Sequence, residues 1–133
     1  MNIALLADEE KRELLVQFCI AYSGVLSKHN LCATATTGTS ISQATGLKVA
    51  EYMPSYQGGY EQISAMISCD QIDMLVFFRS HSRQGETEGA EQNLLRLSDM
   101  HLVPCATNIA TAEVLIHGLE NGYLDWRDIV NPK

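Results

Sequence analysis

The chain has 133 residues, of which 46% are hydrophobic and 19% charged, so it fits a single globular domain over residues 1–133 and is not disordered. The formal net charge of −7 argues against a nucleic-acid polymer as partner, because the phosphate backbone requires a basic patch. No apolar run approaches the ~18 residues of a membrane span and no signal peptide precedes the first apolar segment, so we expect a cytoplasmic protein without a membrane partner.

The four cysteines lie far apart, inside apolar segments, and no C-x-x-C pair is present. A metal site requires closer ligand spacing, whereas isolated cysteines in apolar surroundings are typical of buried free thiols in a reducing compartment. We therefore expect neither a metal ion nor another cofactor.

The first part of the chain alternates between strand and helix patterns. Residues 2–7 form a short apolar run typical of a buried strand, and the apolar residues after Asp8 recur at helical spacing over about five turns. A second strand is predicted at 31–35 and a turn at 36–38. The short helix that follows is predicted to end at Gly46, a residue type favoured at helix C-termini.

The middle of the chain contains the strongest strand signal. A third strand is predicted at 47–53, a loop at 54–59, and an amphipathic helix after that loop. Residues 74–78 (MLVFF) are continuously apolar, as expected of a strand that is buried on both faces. Residues 80–89 form a polar segment that is long for a connection in such a fold.

The last part repeats the alternation, with a helix around residues 94–97, a strand at 103–106 and a helix from about 108 to 119. Five strands alternating with helices predict an α/β fold, a three-layer sandwich with a mostly parallel sheet between helices. In such sheets ligands bind beyond the carboxyl ends of the strands. The loops at that edge begin at Asp8, Thr36, Pro54, Ser80 and Thr107.

The segment after the second strand has the pattern of an anion site. Thr34, Thr36 and Thr37 supply hydroxyl groups at a strand-to-helix turn, where backbone N–H groups are also free to bind an anion. Gly38 would allow the backbone to approach a ligand closely. The alternative is that one of these threonines only caps a helix.

Arg12 lies one helical turn after Asp8 and therefore on the same face of the first predicted helix. Its guanidinium group is suited to a bidentate contact with a phosphate. The alternative is a solvated surface charge.

Two further segments offer backbone amides. Gly58 and Gly59 precede a helix, as in an anion nest, but the same pair is also typical of a flexible turn. Asn108 opens the last long helix, where it is expected to act as a cap or to contact a ligand.

Several long segments are collinear with a known family. The segments NIALLA, LCATATTGTSISQATGLKV, IDMLVFFR, VPCATNIATAEVLI and DWRDIV together resemble methylglyoxal synthase. The resemblance implies a methylglyoxal synthase-like fold with a parallel five-stranded sheet and a homohexamer. It also implies a site for dihydroxyacetone phosphate at the carboxyl ends of the strands.

The phosphate-binding part of the family pattern is largely kept. The family's T-G-T-T-G appears here as T-A-T-T-G at residues 34–38, and its lysine in the first helical turns is replaced by Arg12. The family's S-G-P-L/M-G-G loop is degraded to PSYQGG at residues 54–59, in which only Gly58 and Gly59 persist, and Ser55 is a further expected contact. The resemblance therefore implies that these residues bind phosphate.

The positions that carry the family's chemistry differ. Asp8 and Glu9 stand in place of His-Asp, and Tyr60 stands in place of the aspartate that serves as general base. A tyrosine with a pKa near 10 is a poor base at neutral pH. The substitutes considered as base are Glu61, Asp8 and Glu9.

Three more positions depart from the family pattern. Ser80 replaces an aspartate, Thr87 aligns with the family's histidine, and Ala90 aligns with the next aspartate. Tyr60 and Ser80 thus become expected ligand contacts in a repurposed pocket, and the chain is expected to be a divergent member that lacks the catalytic residues.

Three functions are compatible with this pattern. The preferred hypothesis is a pseudoenzyme that senses or sequesters a phosphorylated metabolite or nucleotide, with Tyr56 and Tyr60 stacking on a ring. The alternative is an enzyme, either a methylglyoxal synthase-type phosphate lyase or another activity that uses new ionisable groups such as His81 and Glu86. A structural oligomer with a vestigial pocket is the third.

Overall fold

A computed structural model describes residues 1–80 and 88–132, and in it five strands form one parallel sheet. The strands lie in the order β3-β2-β1-β4-β5, and each neighbouring pair is parallel. Their bounds are β1 Asn2–Ala7, β2 Asn30–Thr34, β3 Val49–Tyr52, β4 Met74–Phe78 and β5 Cys105–Ala106.

Seven α-helices are found in the described part of the chain. They are α1 Arg12–Ala21, α2 Ser23–Leu26, α3 Ala35–Thr45, α4 Gly59–Ser68, α5 Glu88–Met100, α6 Ile109–Glu120 and α7 Trp126–Val130. Two 3-10 turns, Glu9–Lys11 and Ser55–Gln57, precede α1 and α4. None of the helices in the described ranges is long and apolar enough to cross a membrane.

The sheet has an apolar core on each face, because alternate side chains of β1 and β4 point to opposite sides. One face packs against apolar residues of α1, α3 and α6, and the other against those of α4 and α5. All five residues of β4 are buried, which matches its continuous apolar sequence. The predicted three-layer α/β fold with a five-stranded parallel sheet is therefore confirmed.

Three local predictions differ from the structure. The turn predicted at 36–38 lies inside the first turn of α3, where Gly38 packs closely on β3. The strand predicted at 103–106 is reduced to β5, since Pro104 has no N–H to donate to a neighbouring strand. The first helix opens as a 3-10 turn and is interrupted at Tyr22.

Candidate functional site

A pocket of about 270 Å³ opens at the carboxyl ends of β1 and β2, where these parallel sheets are expected to bind ligands. It is formed by the turn after β1, the start of α3 and the connection between β3 and α4. The lining residues are Ala7, Glu9, Arg12, Thr34, Thr36, Thr37, Pro54, Ser55, Tyr56 and Tyr60.

The N-terminus of α3 faces this pocket. Thr34 precedes the helix in an extended conformation and its side chain makes no capping hydrogen bond, while Thr36 and Thr37 occupy the first turn. The first amide N–H groups of a helix have no intrahelical partner, and the helix dipole places partial positive charge at this end. The start of α3 therefore offers both hydroxyl and amide donors to an anion.

Arg12 brings a positive charge to the pocket. It is the first residue of α1 and is partly buried, and its Nε has no hydrogen-bond partner among residues 1–80 and 88–132. A buried donor without a partner is uncommon in a folded protein. This geometry favours the grip on an anion over the alternative of a solvated surface charge.

The three carboxylates considered as bases lie in different surroundings. Glu9 lines the pocket. Asp8 is 2% exposed, and its Oδ2 accepts a hydrogen bond of 2.7 Å from the backbone N–H of Ser80. Glu61 is exposed on α4, outside the pocket lining, with its Oε2 3.6 Å from where a β-carbon on Gly58 would lie.

The connection from β3 to α4 shapes the opposite wall. Gly58 has a φ of 100°, a left-handed conformation that favours glycine, and Gly59 begins α4. Tyr60 is 1% exposed and its ring lies 5.2 Å from that of Phe77 in a tilted arrangement. The loop is thus anchored by an aromatic contact on the sheet while Tyr60 still lines the pocket.

Three predicted binding residues lie outside the pocket lining. Gly38 packs against Glu51, so close that a β-carbon would lie 2.7 Å from Glu51 Cγ. Asn108 caps α6, with its Oδ1 accepting from the Thr111 N–H at 3.1 Å. Ser80 contacts the turn after β1. Ligand contacts by these three residues remain predictions.

Gly58 and Gly59 also lie outside the lining, although in the chain they lie between its residues Tyr56 and Tyr60. His81, Glu86 and Thr87, singled out from the sequence, lie outside the described residues. Ala7 and Pro54 line the pocket but were not predicted as contacts. Their positions at or just after the carboxyl ends of β1 and β3 could have indicated them, because ligands bind at this edge of the sheet.

The arrangement combines an anion grip with one carboxylate. Arg12 and the N-terminus of α3 favour a phosphate, and Glu9 is the carboxylate that shares the pocket with them among the described residues. No group of three or more His, Cys, Asp or Glu side chains suited to a metal ion is found in these ranges. The chemistry that the pocket supports is phosphate binding together with proton transfer by a carboxylate.

Known proteins provide an independent comparison. Residues 15–107 match the family described as MGS-like domain. Methylglyoxal synthase of Caldicellulosiruptor saccharolyticus is 53% identical over 133 residues, which are 100% of this chain and 94% of the relative. Methylglyoxal synthase of Oceanobacillus iheyensis is 48% identical over 100% of this chain and 95% of its own length.

A solved structure resembles most of this chain. The crystal structure of methylglyoxal synthase from Elizabethkingia anophelis has a TM-score of 0.79 and 33% sequence identity, and the match covers 86% of this chain and 76% of that one. The shared fold includes the parallel sheet that positions the pocket.

These comparisons contradict the preferred functional hypothesis from the sequence. A pseudoenzyme that senses or sequesters a ligand is wrong, because relatives that are 45–53% identical over nearly the whole chain carry the name of an enzyme. The enzyme alternative is the better supported one. With residues 15–107 matched and about half of all residues identical to full-length relatives, the chain belongs to the family of MGS-like domains.

Proposed function

We propose that the chain is a carbon–oxygen lyase of the methylglyoxal synthase type, which converts dihydroxyacetone phosphate into methylglyoxal and inorganic phosphate. One observation carries the proposal: a single pocket joins the Glu9 carboxylate, the Arg12 guanidinium and the N-terminus of α3. The names of the relatives support the same reaction.

The phosphate group of the substrate would occupy the start of α3. Thr36 and Thr37 provide hydroxyl donors there, and the first amides of the helix provide N–H donors. Arg12, whose Nε lacks a partner in the described ranges, would complete the grip with its planar guanidinium. These contacts orient the substrate so that its other end lies in the rest of the pocket.

The reaction requires a base near the carbon that bears the free hydroxyl group. A carboxylate removes a proton from this carbon, which lies next to the ketone, and an enediolate forms. The electron pair of the enediolate then breaks the carbon–oxygen bond to phosphate, which leaves with that bond's electrons and takes up the proton of the enediolate's hydroxyl group. The enolate that remains takes the first proton back from the carboxylic acid at its terminal carbon and becomes methylglyoxal, which regenerates the carboxylate base.

Glu9 is the carboxylate that we assign as this base. The resemblance would place the family's aspartate at Tyr60, but a phenol with a pKa near 10 is mostly protonated at neutral pH. Asp8 is buried and bonded to Ser80, and Glu61 lies outside the pocket lining. We therefore propose a divergent member of the family in which the base has moved from α4 to the turn after β1.

The developing negative charge on the ketone oxygen needs hydrogen-bond donors. The side chains of Thr34, Ser55 and Tyr60 carry hydroxyl groups and line the same pocket. We assign the stabilisation of the enediolate to this group of hydroxyls.

The size of the pocket favours a small substrate. Its volume of about 270 Å³ lies just below the ~300–1,000 Å³ of pockets that hold drug-sized ligands. A triose phosphate fits this size better than a nucleotide, which is the larger of the ligands considered from the sequence.

Assembly into a homohexamer, which the resemblance implies, is part of the same proposal. Exposed apolar side chains on α7 and before it support contact with further copies, with Ile129 83% exposed and Tyr123 72%. Native mass spectrometry of the purified protein measures the number of copies directly, and a monomer would contradict this assignment.

The experiment that tests the function is a product assay. Purified protein is incubated with dihydroxyacetone phosphate at pH 7, and methylglyoxal and inorganic phosphate are measured separately. The proposal predicts equal amounts of the two products, formed in proportion to the protein concentration. Phosphate without methylglyoxal would indicate a phosphatase, and no product above the protein-free control would refute the proposal.

A further inference from the structure

Ser80, which lies shortly after the end of β4, holds the turn that carries Glu9. The backbone N–H of Ser80 donates to Asp8 Oδ2 at 2.7 Å, and the Ser80 hydroxyl donates to Glu10 Oε2 at 2.8 Å. Asp8 and Glu10 are the two chain neighbours of Glu9. Both acids that flank the proposed base are therefore bonded to the same serine.

The hydrogen bond from the Ser80 N–H to Asp8 continues the backbone hydrogen bonding between β1 and β4. In the β1–β4 pair Ala7 lies opposite Phe78, and the N–H of Asp8 then donates to the Phe78 carbonyl oxygen at 2.9 Å. β1 ends at Ala7, and beyond the end of β4 the carboxylate of Asp8 accepts the N–H of Ser80 in place of a backbone carbonyl. The start of the turn is thus fixed to the central strands.

The local geometry separates three neighbouring negative charges. Residues Glu9–Lys11 form a 3-10 turn, in which successive side chains point about 120° apart because there are about three residues per turn. With Asp8 and Glu10 directed to Ser80, the side chain between them is directed elsewhere, and Glu9 lines the pocket.

We propose that Ser80 is a positioning residue for Glu9, acting through its hydrogen bonds to Asp8 and Glu10. The catalytic consequence rests on the proposed function, whereas the structural consequence does not. Ser80 is 8% exposed and lies outside the pocket lining, so this role fits its placement better than the ligand contact expected from the sequence.

The test compares three variants of the full chain. Ser80→Ala removes the hydroxyl bond to Glu10, and Ser80→Thr keeps a hydroxyl group. The matched control is Ser68→Ala, which removes the hydroxyl bond to the Ser64 carbonyl oxygen at the far end of α4. Two quantities are measured: kcat and KM with dihydroxyacetone phosphate, and amide hydrogen exchange of residues 8–12.

In the Ser80→Ala variant we expect kcat to fall about tenfold with KM changed less than about twofold, because a hydrogen bond to a charged group is lost but the phosphate grip stays. Amide exchange over residues 8–12 should rise about fivefold or more. Ser80→Thr should restore both quantities, and Ser68→Ala should match the unmodified protein in both.

The two measurements separate the two proposals. If the unmodified protein makes no methylglyoxal, the proposed function fails, and the exchange of residues 8–12 still decides the positioning role. Unchanged exchange in Ser80→Ala overturns that role in either case. Faster exchange with an unchanged kcat would show that Ser80 orders the turn without positioning the base, which also contradicts the proposal.

Discussion

Gly59 and Met53 lie so close together that a β-carbon on Gly59 would come within 2.0 Å of the Met53 carbonyl oxygen. This contact joins the start of α4 to the chain just after β3; the pocket residues Pro54, Ser55 and Tyr56 lie on the connection between them, and Tyr60 follows Gly59. A side chain at this position would push that wall out of place.

The first prediction therefore concerns Gly59→Ala. We expect the free energy of unfolding to fall by about 3 kcal/mol, the upper end for overpacking, because the clash is with backbone. Urea denaturation measures the change. Gly24→Ala is the matched control: nothing lies within 4 Å of its β-carbon, and on an exposed helix it should raise stability by up to about 1 kcal/mol. Equal effects of the two substitutions would contradict the account.

The second prediction concerns the anion grip. Arg12→Ala should weaken the binding of inorganic phosphate, which occupies the same grip and does not react, about 10- to 100-fold, since charge-assisted hydrogen bonds are lost from a partly buried position. The Kd of Arg12→Lys should lie between that of the unmodified protein and that of Arg12→Ala, because lysine keeps the charge but lacks the planar guanidinium group. Isothermal titration calorimetry gives the Kd values.

Lys48→Ala is the control for that series. It removes one positive charge from an exposed residue just before β3, at the opposite edge of the sheet. If Lys48→Ala weakened binding as much as Arg12→Ala, net charge and not the pocket would be responsible.

The third prediction concerns the C-terminal part of the chain. Arg127 is 3% exposed; its Nε lies 3.3 Å from Asp73 Oδ1, and its other nitrogens donate to the carbonyl oxygens of Leu102 and Ile72. Arg127→Ala leaves a buried carboxylate without its cation, so stability should fall by about 3–5 kcal/mol in urea denaturation.

A surface arginine provides the comparison for Arg127. Arg96 is exposed on α5, where it contacts Asn93 and Met100, so Arg96→Ala should change stability by less than about 1 kcal/mol. A similar loss in both variants would show that the buried ion pair does not hold α7 on the sheet.

The fourth prediction is a pH dependence of stability. Burial raises the pKa of the Cys19 thiol to about 12 and that of Cys32 to about 11, from an ordinary value of 9.0. At a pH between 9.0 and the raised pKa of each thiol, the thiol is deprotonated in the unfolded chain but still protonated in the native protein. The contribution of each buried thiol to the free energy of unfolding is therefore fully present below pH 9. It is lost as pH rises above this value, by about 1.4 kcal/mol per pH unit for each thiol.

Urea denaturation at a series of pH values from 7 to 10.5 measures this slope. Cys19→Ala should be less stable than the unmodified protein at pH 7 but should lose stability less steeply above pH 9. Cys69→Ala, which removes an exposed thiol, is the matched control. A slope unchanged by Cys19→Ala would contradict the assignment of the pH dependence to this thiol.

Much of the fold follows from local patterns in the sequence. The apolar run of β4 and the period change after β1 predict strand and helix because each depends on residues that are near neighbours. The start of α3 was harder to predict, since Thr36, Thr37 and Gly38 carry a turn signal. Here the missing β-carbon of Gly38 serves the close approach of Glu51 on β3, a contact between separate elements.

The site could be predicted only in part for the same reason. The positions of Arg12 and the α3 threonines followed from the loop order of a parallel sheet. The sequence did not indicate which acid faces the pocket, because the direction of the Asp8 side chain depends on its hydrogen bond to Ser80, 72 residues further along the chain. Only the structure shows that Asp8 is bonded to Ser80 and that Glu9 is the acid that lines the pocket.

The most direct test of the central claim is the effect of Glu9→Gln on the chemical step, with Glu61→Gln as the matched control. Glu9→Gln should lower kcat for methylglyoxal formation about 100- to 10,000-fold while the Kd for inorganic phosphate changes less than about threefold, because the amide cannot accept the proton but the phosphate grip is intact. Glu61→Gln should keep the kcat of the unmodified protein. A Glu9→Gln variant that turns over at the unmodified rate, or a loss confined to Glu61→Gln, would contradict the account.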